Sequence, residues 1–190
     1  MKKFAIILSA FFLLTAFTVP NAVWKNDDPH SQLGFTVTHL GISEISGTFN
    51  NFDVTVSSSK PDFSDAVFEL TAKVASIDTR VDQRDNHLKS ADFFDAATHP
   101  TLQFKSTSLK KESNNNYKLT GDLTLHGVTK QVTMDLKYNG TVENAMNKKQ
   151  TAGFQVTGTI KRSDFNLGSK FPAPMISDEV TIKADGEFVQ

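Results

Sequence analysis

The sequence predicts an all-β fold: eight antiparallel strands closed into a barrel, with a short helical insert between strands three and four. Three observations carry this. Beyond residue 30, apolar residues recur at every second position in eight separate runs, the period of a half-buried strand. The stretch SIDTRVDQRDNHLKSADFF, Ser76 to Phe94, abandons that alternation. The runs are mostly joined by short polar turns, and closing such a set of strands removes exposed edges.

The elements follow in order. Leu33, Phe35, Val37 and His39 share one face of the first run. Ile45, Gly47 and Phe49 continue as the second, and the parity then switches to Phe52, Val54 and Val56. A switch at Asn50-Asn51 reads as a β-bulge that turns a long strand round a corner. Ala66, Phe68, Leu70, Ala72 and Val74 form the third run. In the insert, Thr79 and Asp82 fit a Ser/Thr-x-x-Asp/Glu capping pattern, Val81, Leu88 and Ala91 recur near helical spacing, and Asp85 with Lys89 is an i,i+4 pair. The segment from Thr79 to about Ser90 is therefore expected as a helix covering one barrel mouth, with Phe93-Phe94 as its aromatic foot. Leu102, Phe104 and Ser106 resume the strands, and Lys110–Asn116 reads as a polar turn. Tyr117, Leu119, Leu123 and Leu125 make the fifth run, and His126–Thr129 a tight turn into Val132, Met134, Leu136 and Tyr138. Gly140–Lys149 reads as a loop. Ala152, Phe154, Val156 and Ile160, then Val180, Ile182, Ala184 and Phe188, complete the eight.

The chain opens with Met1-Lys2-Lys3, an apolar run from Phe4 to Leu14, and a small, polar stretch to Ala22. This is the pattern of a cleaved signal peptide, residues 1–22, with Ala16 and Ala22 as candidate cleavage positions. The apolar run is too short to span a bilayer as a helix, so no transmembrane segment is expected after its removal. A single domain, 23–190, is expected to follow in the periplasm or the medium. With no Cys among 190 residues, neither a lipid-modified cysteine nor a disulfide framework is available. Without Lys2 and Lys3 the formal charge falls from −1 to −3, and the absence of a basic run argues against nucleic acid as partner.

After the signal segment, twelve Phe against two Tyr and one Trp give the chain apolar area with few polar handles. An interior lined this way suits hydrocarbon better than sugar or nucleotide; a simply well-filled β core is the plainer alternative. The small inward residues Ala66, Ala72, Ala152, Gly121 and Gly158 could together leave room for a channel. The five His form no close ligand pair, so neither a metal nor a cofactor is expected. Asp85, His87 and Ser90 lie within one and a half helical turns but lack a nucleophile elbow, so no catalytic residues are expected and Arg84, Asp85 and His87 are read as structural. The long connection Asn166–Pro174, flanked by Phe165 and Met175, is suited either to a pocket rim or to packing over a barrel end.

Several segments also resemble one known family. Trp24, Asp28, His30-Ser31, Phe35 and His39 fit W-x-x-x-D-x-H-S…F-x-V-x-H, and Gly47-Thr48-Phe49 fits G-x-F. Ser76–Thr79, Arg84–Leu88, Asp92–Asp95 and Pro100 fit its central signature; Gly121–Thr129 fits G-x-L-T-h-H-G-V-T, and Ile160–Phe165 with Asp178–Val180 fit its closing pieces. On these motifs the chain resembles the YceI-like family of secreted bacterial proteins along its whole mature length. It departs at Asn166, where Gly is common. The resemblance implies a lipocalin-like barrel that binds polyisoprenoids or related long-chain amphiphiles, often as a homodimer, with no established catalysis.

The combined expectation is a periplasmic or secreted protein that sequesters a polyisoprenoid or similar amphiphile in an apolar tunnel. The expected lining is Phe35, Phe49, Phe68, Leu70, Phe93, Phe94, Phe104, Phe154 and Phe188. Arg84, Arg162 and Lys170 are the expected head-group contacts. The rival expectation is a filled barrel acting as an interaction or stress-response module without bound lipid.

Overall fold

The computed structural model describes residues 21–190; the expected signal segment lies outside them, except for its last two residues. Ten strands are present: β1 (Ala22–His39), β2 (Ser43–Phe49), β3 (Phe52–Ser58), β4 (Val67–Lys73), β5 (Ile77–Asp78), β6 (Thr101–Ser113), β7 (Asn116–Leu125), β8 (Val128–Glu143), β9 (Gln150–Lys161) and β10 (Glu179–Val189). Every pairing is antiparallel, and β10 returns to β1 to close the sheet. β2 and β3 are the two arms of one strand bent at Asn50-Asn51, and β5 is a two-residue annex on the edge of β2. The wall therefore has eight staves, a closed antiparallel barrel.

Two stretches expected as turns are partly strand. β6 runs on to Ser113 and β8 to Glu143, because cross-strand partners such as Lys110↔Lys118 and Val142↔Thr151 hold polar residues in the ladder. β1 begins at Ala22, well before the alternating run. Its first residues pair with β3, its later ones with β2, and Trp24 is buried. Between these halves the register against β10 slips, so that Asp27–His30 stand opposite Glu187 alone.

The barrel has a filled end and a covered end. At the filled end the 59–66 loop drives Phe63, 3% exposed and at φ 56°, up between Trp24, Tyr138 and Phe154, with ring centroids 5.0–5.3 Å apart. Tyr117 donates to the Asp62 carbonyl at 2.8 Å and pins the same loop. Asp65 secures its base by accepting from the Ser58 and Ser59 hydroxyls and the Ser59 N–H.

The covered end carries the helical insert, α1 (Asp82–Lys89), which is shorter than expected. Thr79 does not cap it; the residue before the first turn is Val81, without a side-chain cap. Instead Thr79 is buried, and its N–H and hydroxyl both donate to Asp85 Oδ1, at 2.8 and 2.5 Å. That contact, rather than a pairing with Lys89, occupies Asp85. Once its side chain sits beneath the helix, it satisfies the buried Thr79 N–H from below.

Candidate functional site

Between filled end and cover lies a cavity of about 470 Å³. All nine apolar residues expected to line the interior border it, Phe35 and Phe49 near the helix, Phe68, Phe154 and Phe188 toward the filled end. The periodicity finds the seven that lie on strands, because inward positions of a barrel strand are every second residue; Phe93 and Phe94 follow α1 and were read as its aromatic foot. Ile45, Val54, Leu102, Leu123, Val156 and Ile182 complete the same wall and carry the same period-two signal.

The space does not come from the small residues. A Cβ on Gly121 would lie 2.4 Å from the Phe104 ring, and one on Gly158 would lie 2.8 Å from the Met134 side chain, so larger neighbours already fill both sites. Ala66, Ala72 and Ala152 are buried in the packed core, outside the cavity lining. What remains open is the volume between the Phe63 plug and the α1 cover, which no local sequence pattern encodes.

The cover is a second aromatic layer. Phe93 stacks on Phe171 with centroids 4.8 Å apart and planes 11° from parallel, and the His87 ring meets both edge-on. Phe49 meets Phe94 at 5.8 Å. A polar clasp ties the layer together outside: Lys170 Nζ donates to Asp92 Oδ1 at 2.5 Å, and His87 Nε2 lies 3.3 Å from Asp92 Oδ2. The hydrogen bond from Lys170, reinforced by His87, holds the Asp92 carboxyl below its ordinary range.

The three expected head-group contacts fare differently. Arg84 borders the cavity and donates from Nε to Thr79 Oγ1 and from Nη2 to the Thr79 carbonyl, both at 2.7 Å. Arg162 also borders it, but its guanidinium donates to five backbone carbonyls, those of Leu167, Gly168, Phe171, Ile176 and Ser177. With every N–H committed, it braces the 166–177 connection and has no donor left for a ligand. Lys170 lies outside the lining, in the clasp with Asp92. Asn166, the point of departure, ends the 3₁₀ turn Arg162–Phe165 at φ 56°, a left-handed conformation that Asn tolerates nearly as Gly does.

Asp85, His87 and Ser90 do not converge. Asp85 faces Thr79, His87 faces Asp92, and Ser90 Oγ donates to the His87 carbonyl at 2.7 Å. His87 is about half exposed, so it makes no buried hydrogen bond. The β1 register slip does bring together Asp27, His30 and Glu187, with ligand atoms within 4.8 Å of one another. Asp27 raises the His30 pKa through its hydrogen bond and its charge, and Glu187 adds to this. Sequence spacing gave no signal for this set, because Glu187 arrives from the other end of the chain. A polar recess of about 570 Å³ lies beside it, between Asp28–Leu33 and Thr48–Asp53, where β1 crosses from β3 to β2. Among the described residues no helix is long and apolar enough to cross a membrane.

Comparison with known proteins agrees with this geometry. The YceI-like domain family matches residues 24–188. A UPF0312 protein of Staphylococcus aureus (strain bovine RF122 / ET3-1) is 38% identical over 166 residues, covering 85% of this chain and 94% of the relative. The crystal structure of the Campylobacter jejuni YCEI protein superposes with a TM-score of 0.74 at 31% identity, over 80% of this chain and 89% of that one. Burkholderia cenocepacia BcnA superposes at 0.75 with 26% identity, over 85% and 98%. A polyisoprenoid binding domain from Saccharophagus degradans shares the fold, with a TM-score of 0.66 at 16% identity over 89% and 98%. With its motifs spread over the barrel, its cover and its closing strand, and the family match running from β1 to the end of β10, this chain belongs to the YceI-like family.

Proposed function

We propose that the protein binds and carries a polyisoprenoid or similar long-chain amphiphile outside the cytoplasm, and that it does so without catalysis. The observation that carries this is the cavity: about 470 Å³ enclosed mainly by Phe, Leu, Ile and Val, with Arg84, His87 and Arg162 toward the cover and Asp185 on the β10 wall. A site of that size and lining holds a ligand through burial of apolar surface, about 25 cal/mol per Å². It offers few hydrogen bonds to orient a polar molecule along its length. The Saccharophagus degradans relative, described as polyisoprenoid-binding, supports the ligand class at the level of a shared fold. Export rests on the signal-like residues 1–22. Arg84 is the remaining candidate for the polar head, since its Nη1 donates to no protein group among the described residues.

The test is native mass spectrometry of protein taken from its own compartment, followed by lipid extraction and N-terminal sequencing. The expected result is a stoichiometric prenyl-type or other long-chain lipid on a chain beginning between Phe17 and Trp24. Ligand-free protein that also fails to retain an added polyprenyl lipid would reject the carrier and favour the interaction module. An intact Met1 on the mature protein would reject export.

A further inference from the structure

One apolar surface belongs neither to the core nor to the cavity wall. Three residues, Leu40, Gly41 and Ile42, join β1 to β2 beyond the His39↔Ser43 pair. Ile42 is 85% exposed and Leu40 56%. Leu40 holds φ 51°, a left-handed conformation that a β- or γ-branched residue rarely adopts without a reason. The turn is fixed in place, because the Leu40 N–H donates to the Met175 carbonyl at 3.0 Å and the His39 and Ile176 backbones form a bridge. Met175 is 44% exposed and also borders the cavity. Exposed apolar surface therefore runs from the tip of the turn to the cavity rim.

We propose that the Leu40–Ile42 tip, with Met175 behind it, is where the protein docks on a lipid bilayer to load and release its ligand. This rests on the lipid-carrying reading above and adds the route by which the ligand travels. A long apolar chain passing between membrane and cavity must cross the rim, and at this place the crossing need not expose it to water. The patch is too small for a second copy of the chain. Two side chains at a turn tip and Met175 behind them fall far short of the roughly 800 Å² per partner that a stable interface buries. They suit the shallow boundary between head groups and acyl chains, where apolar tips enter without a matching surface. The charge agrees: Arg84 and Arg162 border the same cavity, and among the described residues neither is in an ion pair. The Arg162 guanidinium, held on the Ile176 and Ser177 carbonyls beside Met175, puts positive charge behind the tip for an anionic bilayer surface to meet.

The experiment follows extraction of a fluorescent polyprenyl lipid from vesicles of phosphatidylethanolamine and phosphatidylglycerol. Wild type is compared with the double variant Leu40→Ser, Ile42→Ser. Both are also loaded from detergent-dispersed lipid, melted, and checked for oligomeric state by light scattering. The expected result is extraction slowed about tenfold or more, as losing one buried aliphatic side chain implies, with detergent loading, melting and mass unchanged. Extraction at the wild-type rate by the double variant would overturn the docking site and leave the carrier intact. So would a wild type that loads from detergent but never from vesicles, which would point to a protein donor. A change in oligomeric state would assign the tip to a second copy instead. Failure of wild type to load even from detergent would reject the carrier reading, and the docking route with it.

Discussion

Two alanine-to-phenylalanine substitutions on inward positions should behave oppositely, because one position faces open space and the other does not. Ala184 on β10 lies between Leu33 of β1 and Val156 of β9, and borders the cavity. Ala152 on β9 is fully buried between Thr141 and Phe188, at the filled end. A ring added at Ala152 must displace packed neighbours, at about 1–3 kcal/mol. In a domain of this size each kcal/mol moves the melting temperature by roughly 2–4 °C, so a fall of about 2–12 °C is expected. The ring of Ala184→Phe instead enters apolar space that the fold leaves vacant, and its melting temperature should stay within about 2 °C of wild type. That ring should then occupy the ligand's volume, so retention of a labelled polyprenyl lipid should drop at least about tenfold. The assay pairs thermal melts by circular dichroism with lipid retention on a desalting column. If Ala184→Phe destabilises as strongly as Ala152→Phe, or retains lipid like wild type, the cavity is not the binding space.

Three further outcomes follow from the cover and the plug. Arg162→Gln strips donors from backbone carbonyls of the 166–177 connection. Leaving even one of them unpaired costs about 1–3 kcal/mol, and hydrogen exchange should show protection lost in that connection; unchanged exchange there would refute the brace. Asp85→Ala leaves the buried Thr79 N–H and hydroxyl without their acceptor, which should cost about 1–3 kcal/mol in urea denaturation and loosen α1. A variant as stable as wild type would mean that water replaces the carboxylate. Burial alone would raise the Asp65 carboxyl, but the Ser58 and Ser59 hydroxyls and the Ser59 N–H outweigh it and hold the pKa far below the ordinary range. A lowered folded pKa stabilises the fold above the unfolded value, near 4, and that contribution is lost as pH falls through the folded value. The stability gap between wild type and Asp65→Asn should therefore be present at pH 7 and narrow steadily below about pH 4; a gap independent of pH would assign the effect to something other than ionisation.

The wall of the barrel was legible in the sequence because its rule is local. A strand with one face in the core must alternate, so Phe68, Phe104 and Phe154 were assigned inward from their neighbours alone, and the bend at Asn50-Asn51 from a change of parity. The break in alternation likewise located α1, though not its start. Thr79 has the composition of a cap, but tertiary packing turned its hydroxyl and N–H to Asp85. Phe63 was not legible, since one aromatic in a polar loop has no period to betray it, and only the assembled barrel shows the hole it fills. The role of Arg162 was hidden for a related reason. Its five acceptors are backbone carbonyls, which every sequence supplies, and the fold of the 166–177 connection decides where they point. The sequence by itself thus determined which residues face inward, because that depends on neighbours two positions away. Only the tertiary structure decided that the interior stays partly empty, because a void is the difference between the span of eight closed strands and the volume of the side chains that reach into it.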